Sequence, residues 1–408
     1  MARSPDAGGR DTGAIALAAA SVISGVFAYL FIAVGTRHFG TEDFSGVAQL
    51  WTIWFFGSSV LTFPIQHWVI QRLRTDGHGG AVRVVLPRLT LVALGLGLGV
   101  VAVTSLVRED MYGREDLLYP LIAGGITVGA AAMGLLRGGL AGRSRFLATA
   151  TALGGENLVR LAFGLAVVAA GAAVGWYGVA ILSGSLVILA WPSALRFQGP
   201  AVAGVSPMAF LGNVAGGTVI AQSVLTAGPV VLSLSGGTRD EVTSLFTALA
   251  LFRAPYIVAL GLAIRMTATL TDLATAGRAA DLLRIQRRMI AAGLATMAMG
   301  GAGAALIGPS VLRIVFGDEV DLTRAACAGL AVGSLAALAT LGLTLVQMTD
   351  GAGRRVLRTW ATALAVGVVT MVALPLEPLP RVVAAFLASE LTAFALMALL
   401  DGSGERSR

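Results

Sequence analysis

Four ionisable residues stand inside otherwise apolar runs of this 408-residue chain: Glu156, Arg160, Arg253 and Glu390. Glu156 and Arg160 are four residues apart, so a helix sets both on one face. A charge at the centre of a membrane helix costs about 2.5–3.5 kcal/mol on insertion scales, and such groups face a partner or a water-filled cavity. Two chemistries suit these residue types. In the first, opposite charges neutralise one another, Glu156 with Arg160 and Arg253 with Glu390. In the second, the arginines offer planar forks to an anion, for which phosphate and diphosphate oxygens are the natural geometric match. Asn213 and Gln222 stand in a further apolar run and would bond either between helices or to a ligand. Residue type alone leaves both chemistries open.

Other motifs carry less. The single cysteine, Cys327, has no CxxC partner and reads as a packing residue. Gly95-Leu96-Gly97-Leu98-Gly99 lies in an apolar run with no strand before it, so it is no nucleotide fingerprint. Together with Gly171-Ala172-Ala173-Val174-Gly175 it predicts close helix packing. Gln66 and His67 read as an interfacial cluster, and Trp51, Trp176 and Tyr177 as anchors in the aromatic belt. Pro64, Pro229 and Pro255 predict kinks. No cofactor is expected.

The elements that position these groups follow from composition. Apolar residues make up 56% of the chain and charged ones 12%, with mean hydropathy +0.83. Soluble domains carry about 25% charged residues. That deficit excludes a soluble enzyme, a disordered chain and a secreted disulfide scaffold. It predicts an all-α polytopic membrane protein. Twelve spans are expected, at 12–35, 44–70, 84–107, 117–136, 147–170, 176–195, 208–234, 243–264, 289–308, 325–347, 356–374 and 381–400. The chain has no lysine, and with the N-terminus inside, 20 of its 29 Arg fall on cytoplasmic segments and 7 on external ones. This positive-inside bias predicts a multi-pass protein of the cytoplasmic membrane with both termini in the cytoplasm. It also explains the net charge of +7 without nucleic acid. The basic segment 265–288 is expected to lie along the membrane surface as an amphipathic helix.

Segments 41–73 and 238–271 run alike, each with a short acidic turn, an inward crossing and a basic exit. Two six-helix halves, 1–200 and 201–408, are therefore expected, around a central cavity. The turn Arg37-His38-Phe39-Gly40-Thr41-Glu42-Asp43-Phe44-Ser45-Gly46 resembles the R-x-LG-xx-x-FG turn of polysaccharide exporters. Those exporters fall in the multidrug/oligosaccharidyl-lipid/polysaccharide (MOP) superfamily, which also holds the MATE transporters. Residues 306–319, LIGPSVLRIVFGDE, are similar to the same family's external turn after the ninth span, and Phe252-Arg253-Ala254-Pro255 stands where its eighth span lies. The resemblance implies a flippase for a polyprenyl-diphosphate-linked saccharide working by alternating access. Arg160 and Arg253 would hold the diphosphate, with Glu156, Glu390, Gln222 and Asn213 around it. Membrane lipids and glycan-assembly proteins are the partners it implies. The rivals are a drug/cation antiporter of the same superfamily, another secondary transporter, and a membrane polymerase or glycosyltransferase. The longest external connection, 309–324, is short for a catalytic loop.

Overall fold

A computed structural model describes residues 7–200, 219–259, 276–348 and 353–399, with residues 217, 266, 270 and 273 besides. Among the described residues every regular element is a helix. The chain forms two compact units, Met1–Ala215 and Gly216–Arg408.

In unit 1, α1 (Ala7–Gly57) would be about 77 Å long at 1.5 Å per residue, far beyond one bilayer crossing. Gly40 breaks it, with φ 78 and ψ 171. That conformation suits only a residue without a Cβ, so the Gly of the 37–46 turn separates the first two spans. Phe44 folds back on Gly35, where an added Cβ would lie 2.4 Å from the Phe44 ring. The second span continues through a π-helical turn, Ser58–Thr62, into α2 (Phe63–Thr75). Pro64 falls just after that turn, and Thr62 donates its hydroxyl to the Ala130 carbonyl (2.7 Å). Then follow α3 (Gly80–Leu106), α4 (Arg108–Tyr112), α5 (Leu118–Gly142), α6 (Phe146–Ala169) and α7 (Val174–Ser183). The last tightens into 3-10 turns at Gly184–Ala190 and Pro192–Leu195.

Unit 2 contains α8 (Gly228–Leu234), α9 (Arg239–Phe252), α10 (Ala279–Phe316), α11 (Arg324–Met348), α12 (Gly353–Ala373) and α13 (Pro378–Leu399). A capping box starts α9: Thr238 accepts from the Glu241 amide (3.3 Å), and Glu241 accepts from the Thr238 amide (2.9 Å).

Eight helices among the described residues are long and apolar enough to cross a membrane. One of them, Ala19–Thr75, contains two crossings on either side of Gly40, and the shorter apolar stretch Val174–Ala190 is the sixth. With α8 and α9 in the seventh and eighth spans, the architecture is the twelve-span, two-half arrangement. Large apolar side chains such as Leu98, Met299, Leu306 and Val372 face outward, as lipid contact requires.

Three expectations need correction. Residues 279–288 are continuous with the ninth span in the 38-residue α10, so this part of segment 265–288 is not a separate surface helix. No break separates residues 279–288 from the span: the glycines stay helical, and the proline, Pro309, which removes one ladder bond, lies far along toward Phe316. Trp51 and Tyr177 are buried, not belt anchors. Trp51 stacks on Phe31 (5.1 Å between centroids), and the Tyr177 hydroxyl donates to the Phe31 carbonyl (2.6 Å). Of the 95–99 glycines, only Gly97 is at a close contact, an added Cβ there lying 3.0 Å from the Gly124 carbonyl of α5; Gly95 and Gly99 meet nothing.

Candidate functional site

Unit 1 gathers Glu156 and Arg160 as their spacing predicts, and adds a third charge. Glu156 Oε1 accepts from Arg160 Nη2 and from Trp54 Nε1 (3.0 Å), while Oε2 accepts from Arg137 Nη2. Arg160 is spent on several partners at once. Its Nη1 donates to Asn157 Oδ1 (2.7 Å) and its Nε to the Ile181 carbonyl (2.9 Å), and its guanidinium lies 4.1 Å from the Trp54 ring centroid. Asn157 is fixed in turn by its amide donating to Ser24 Oγ (2.8 Å). Gly184 makes room: a Cβ there would sit 2.6 Å from Arg160 Nε. The fork is therefore engaged on every edge, with an aromatic face over it.

Arg137 was counted in the sequence as a cytoplasmic residue following the fourth span. The structure carries α5 on to Gly142 and buries Arg137 to 6% exposure. The signal was there, since the run stays apolar or small from Arg137 to Arg143 and supports another turn of helix. With two Arg and one Glu, the cluster holds one net positive charge. Arg137 Nε is buried without a hydrogen-bond partner among the described residues.

Unit 2 brings Arg253, Glu390 and Gln222 into one interior but satisfies them less completely. Arg253 ends α9, and its guanidinium lies 5.7 Å from the ring centroid of Phe386. Phe386 is one turn before Glu390 on α13, so the two share a face, and Arg253 is the cation within electrostatic reach of Glu390. Glu390 has 0% exposure, and neither carboxylate oxygen has a hydrogen-bond partner among the described residues. Gln222 donates from Nε2 to the buried Tyr256 hydroxyl (3.1 Å), and Gln347 on α11 donates to the Met397 carbonyl (3.1 Å); among the described residues neither Oε1 has a partner. Asn213 lies outside the described residues. Among the described residues no group of three or more His, Cys, Asp or Glu could hold a metal ion.

These helices define a class: a polytopic helical membrane fold of two six-span units, each with ionisable groups in its interior. Solved structures place that class. The chain is similar to an inward-facing multidrug resistance MATE family transporter of the MOP superfamily, with TM-score 0.65, 14% identity, and 92% of this chain and 93% of that one covered. It is also similar to a MOP superfamily transporter from Pyrococcus furiosus described as having a binding pocket of reverse polarity. There the TM-score is 0.59 at 14% identity, covering 95% of this chain and 94% of that one. An outward-facing MATE family transporter matches at TM-score 0.52 and 14% identity, with 94% of each chain covered. No protein-family model and no curated protein matches the sequence. The chain shares the fold of these MATE family transporters.

Proposed function

We propose that this protein is a flippase that moves a polyprenyl-diphosphate-linked saccharide across the cytoplasmic membrane by alternating access, and that it is not an enzyme. The supporting observation is the sign of the interior charge. The described spans bury Arg137, Arg160 and Arg253 against Glu156 and Glu390, an excess of one cation where each charge is expensive. An anionic substrate turns that excess into binding. Arg253 is the clasp in this reading, because Arg160 is held by Glu156, Asn157 and Ile181 and acts as a positioning residue. The test is flipping of a fluorescent polyprenyl-diphosphate saccharide in proteoliposomes. Arg253→Lys keeps the charge and loses the fork, so flipping should fall about tenfold or more at unchanged protein abundance. Normal flipping by a well-folded Arg253→Ala variant would refute the clasp.

A drug/cation antiporter is the second reading. Glu390 favours it, as a buried carboxylate with no donor among the described residues is a natural receptor for a cation. Efflux of a lipophilic organic cation that is lost in Glu390→Gln, in vesicles that do not flip the lipid-linked saccharide, would select this reading over the first.

A further inference from the structure

One arginine-lined cavity lies away from both charge clusters, at the end of unit 1 that the arginine bias assigns to the cytoplasm. It is a half-open pocket of ≈ 340 Å³ whose polar walls are His78, Arg143, Arg196 and Gln198. Three connections build it: the α2–α3 turn, the α5–α6 turn and the segment after α7. The Gly79 amide donates to the Gln198 carbonyl (2.8 Å), and Arg143 donates to the carbonyls of Ala194 (2.7 Å) and Arg196 (2.8 Å). The Arg143 guanidinium also lies 5.3 Å from the Phe197 ring centroid. Glycine allows the approach, since a Cβ on Gly80 would lie 1.8 Å from the Pro200 carbonyl oxygen.

We propose that this pocket binds a phosphate anion, either free or as the headgroup of an anionic lipid. No carboxylate lines it, and Asp76 is the single acid in the stretches 71–88, 143–146 and 196–200. Burial, with the like charge of Arg145 added, pushes the Arg143 guanidinium below its usual range. Donors are left over as well. Among the described residues the Arg196 guanidinium makes no hydrogen bond or ion pair. His78 Nδ1 accepts from the Gly80 amide (3.2 Å), which puts the proton of the neutral ring on Nε2 as a donor. A guanidinium fork beside an imidazole N–H and an amide is a phosphate-binding set. Basic pockets between spans at the cytoplasmic side take anionic headgroups. The site stands apart from the transport reading, since none of its residues belongs to either interior cluster.

The test uses the full chain in lipid nanodiscs, with Arg196→Gln as the probe variant and Arg88→Gln as a control. Arg88 is an exposed cation on α3 outside the pocket. In phosphatidylcholine discs, inorganic phosphate is titrated at constant ionic strength by 31P NMR. In a second arm, Tm is compared between phosphatidylglycerol and phosphatidylcholine discs. If the ligand is free phosphate, its Kd weakens about fivefold or more in Arg196→Gln and is unchanged in the control. If the ligand is a headgroup, phosphate does not bind, and the Tm gain from anionic lipid falls in Arg196→Gln alone. Matching behaviour of Arg196→Gln and Arg88→Gln in both arms would overturn the proposal, because diffuse surface charge would then account for any anion effect.

Discussion

Glu156 and Glu390 are both buried carboxylates on membrane helices, each with arginine in its neighbourhood, and the two units treat them in opposite ways. Glu156 receives donors from Arg137, Arg160 and Trp54 on three different helices. Glu390 receives none among the described residues, although Arg253 is within electrostatic reach. A fully satisfied buried network rigidifies the helices it joins, while an unsatisfied polar group is costly until something supplies its missing partner. The first cluster fastens α1, α5, α6 and α7 together. The second is where an incoming group changes the energy most, a hydrogen-bond donor at Glu390 or an anion at Arg253. On the proposed function, unit 1 charges hold the fold and unit 2 charges meet the cargo.

Removing the carboxylate that organises unit 1 should have the largest effect. Glu156→Gln leaves Arg137 and Arg160 buried without a counter-charge, a loss of about 3–5 kcal/mol. Folded protein recovered from the membrane should collapse, as measured by size-exclusion chromatography of detergent extracts. The second-site order then sharpens the comparison. Arg137→Gln should rescue Glu156→Gln better than Arg160→Gln does. Arg160 keeps Asn157 and the Ile181 carbonyl without Glu156, whereas among the described residues Glu156 provides the only hydrogen bond in which Arg137 takes part through its side chain.

Arg160→Lys comes next. An ammonium can hold Glu156 but cannot also span Asn157, the Ile181 carbonyl and the Trp54 face. The expected loss is about 1.5–3 kcal/mol, of the size of a charged hydrogen bond, read as a lower Tm. A Tm equal to wild type would reduce the network to simple charge neutralisation.

The smallest effect lies outside the membrane. Asp116 accepts from Arg114 Nη2 (2.5 Å), which holds its carboxyl below the usual range. A depressed carboxylate stabilises above its unfolded pKa, and that contribution is lost as pH falls through the lower folded value. Asp116 is half exposed and Arg114 about a third, so solvent screening leaves at most a few tenths of a kcal/mol. Arg114→Ala should therefore slightly weaken the protection of the α4–α5 turn in hydrogen exchange at neutral pH, and the difference from wild type should vanish well below about pH 4, where Asp116 is protonated in both.

The fold was legible because its signal is summed over hundreds of residues: apolar runs, charged breaks between them and a glycine at the turn between the first two spans. The Glu156–Arg160 pairing was legible because four residues is one helical turn. Arg137 was not, because the helix end had been drawn at a charge that burial can in fact absorb once Glu156 lies opposite. Asn157 and Gly184 were invisible for another reason. Their roles are to accept from Arg160 and to leave it room, and neither shows until α6 and α7 are packed. Trp51 and Tyr177 misled in the opposite direction, since an interfacial aromatic and a core aromatic have the same sequence signature.

The most direct measurement compares Glu156→Gln and Glu390→Gln side by side, with Tm and flipping of the lipid-linked saccharide read on the same preparations. The account predicts that Glu156→Gln loses stability. It predicts that Glu390→Gln, having no hydrogen bond to lose, keeps or raises Tm while transport changes severalfold. Glu390→Gln transporting like wild type, or Glu156→Gln melting like wild type, would contradict the division between a holding unit and an acting one.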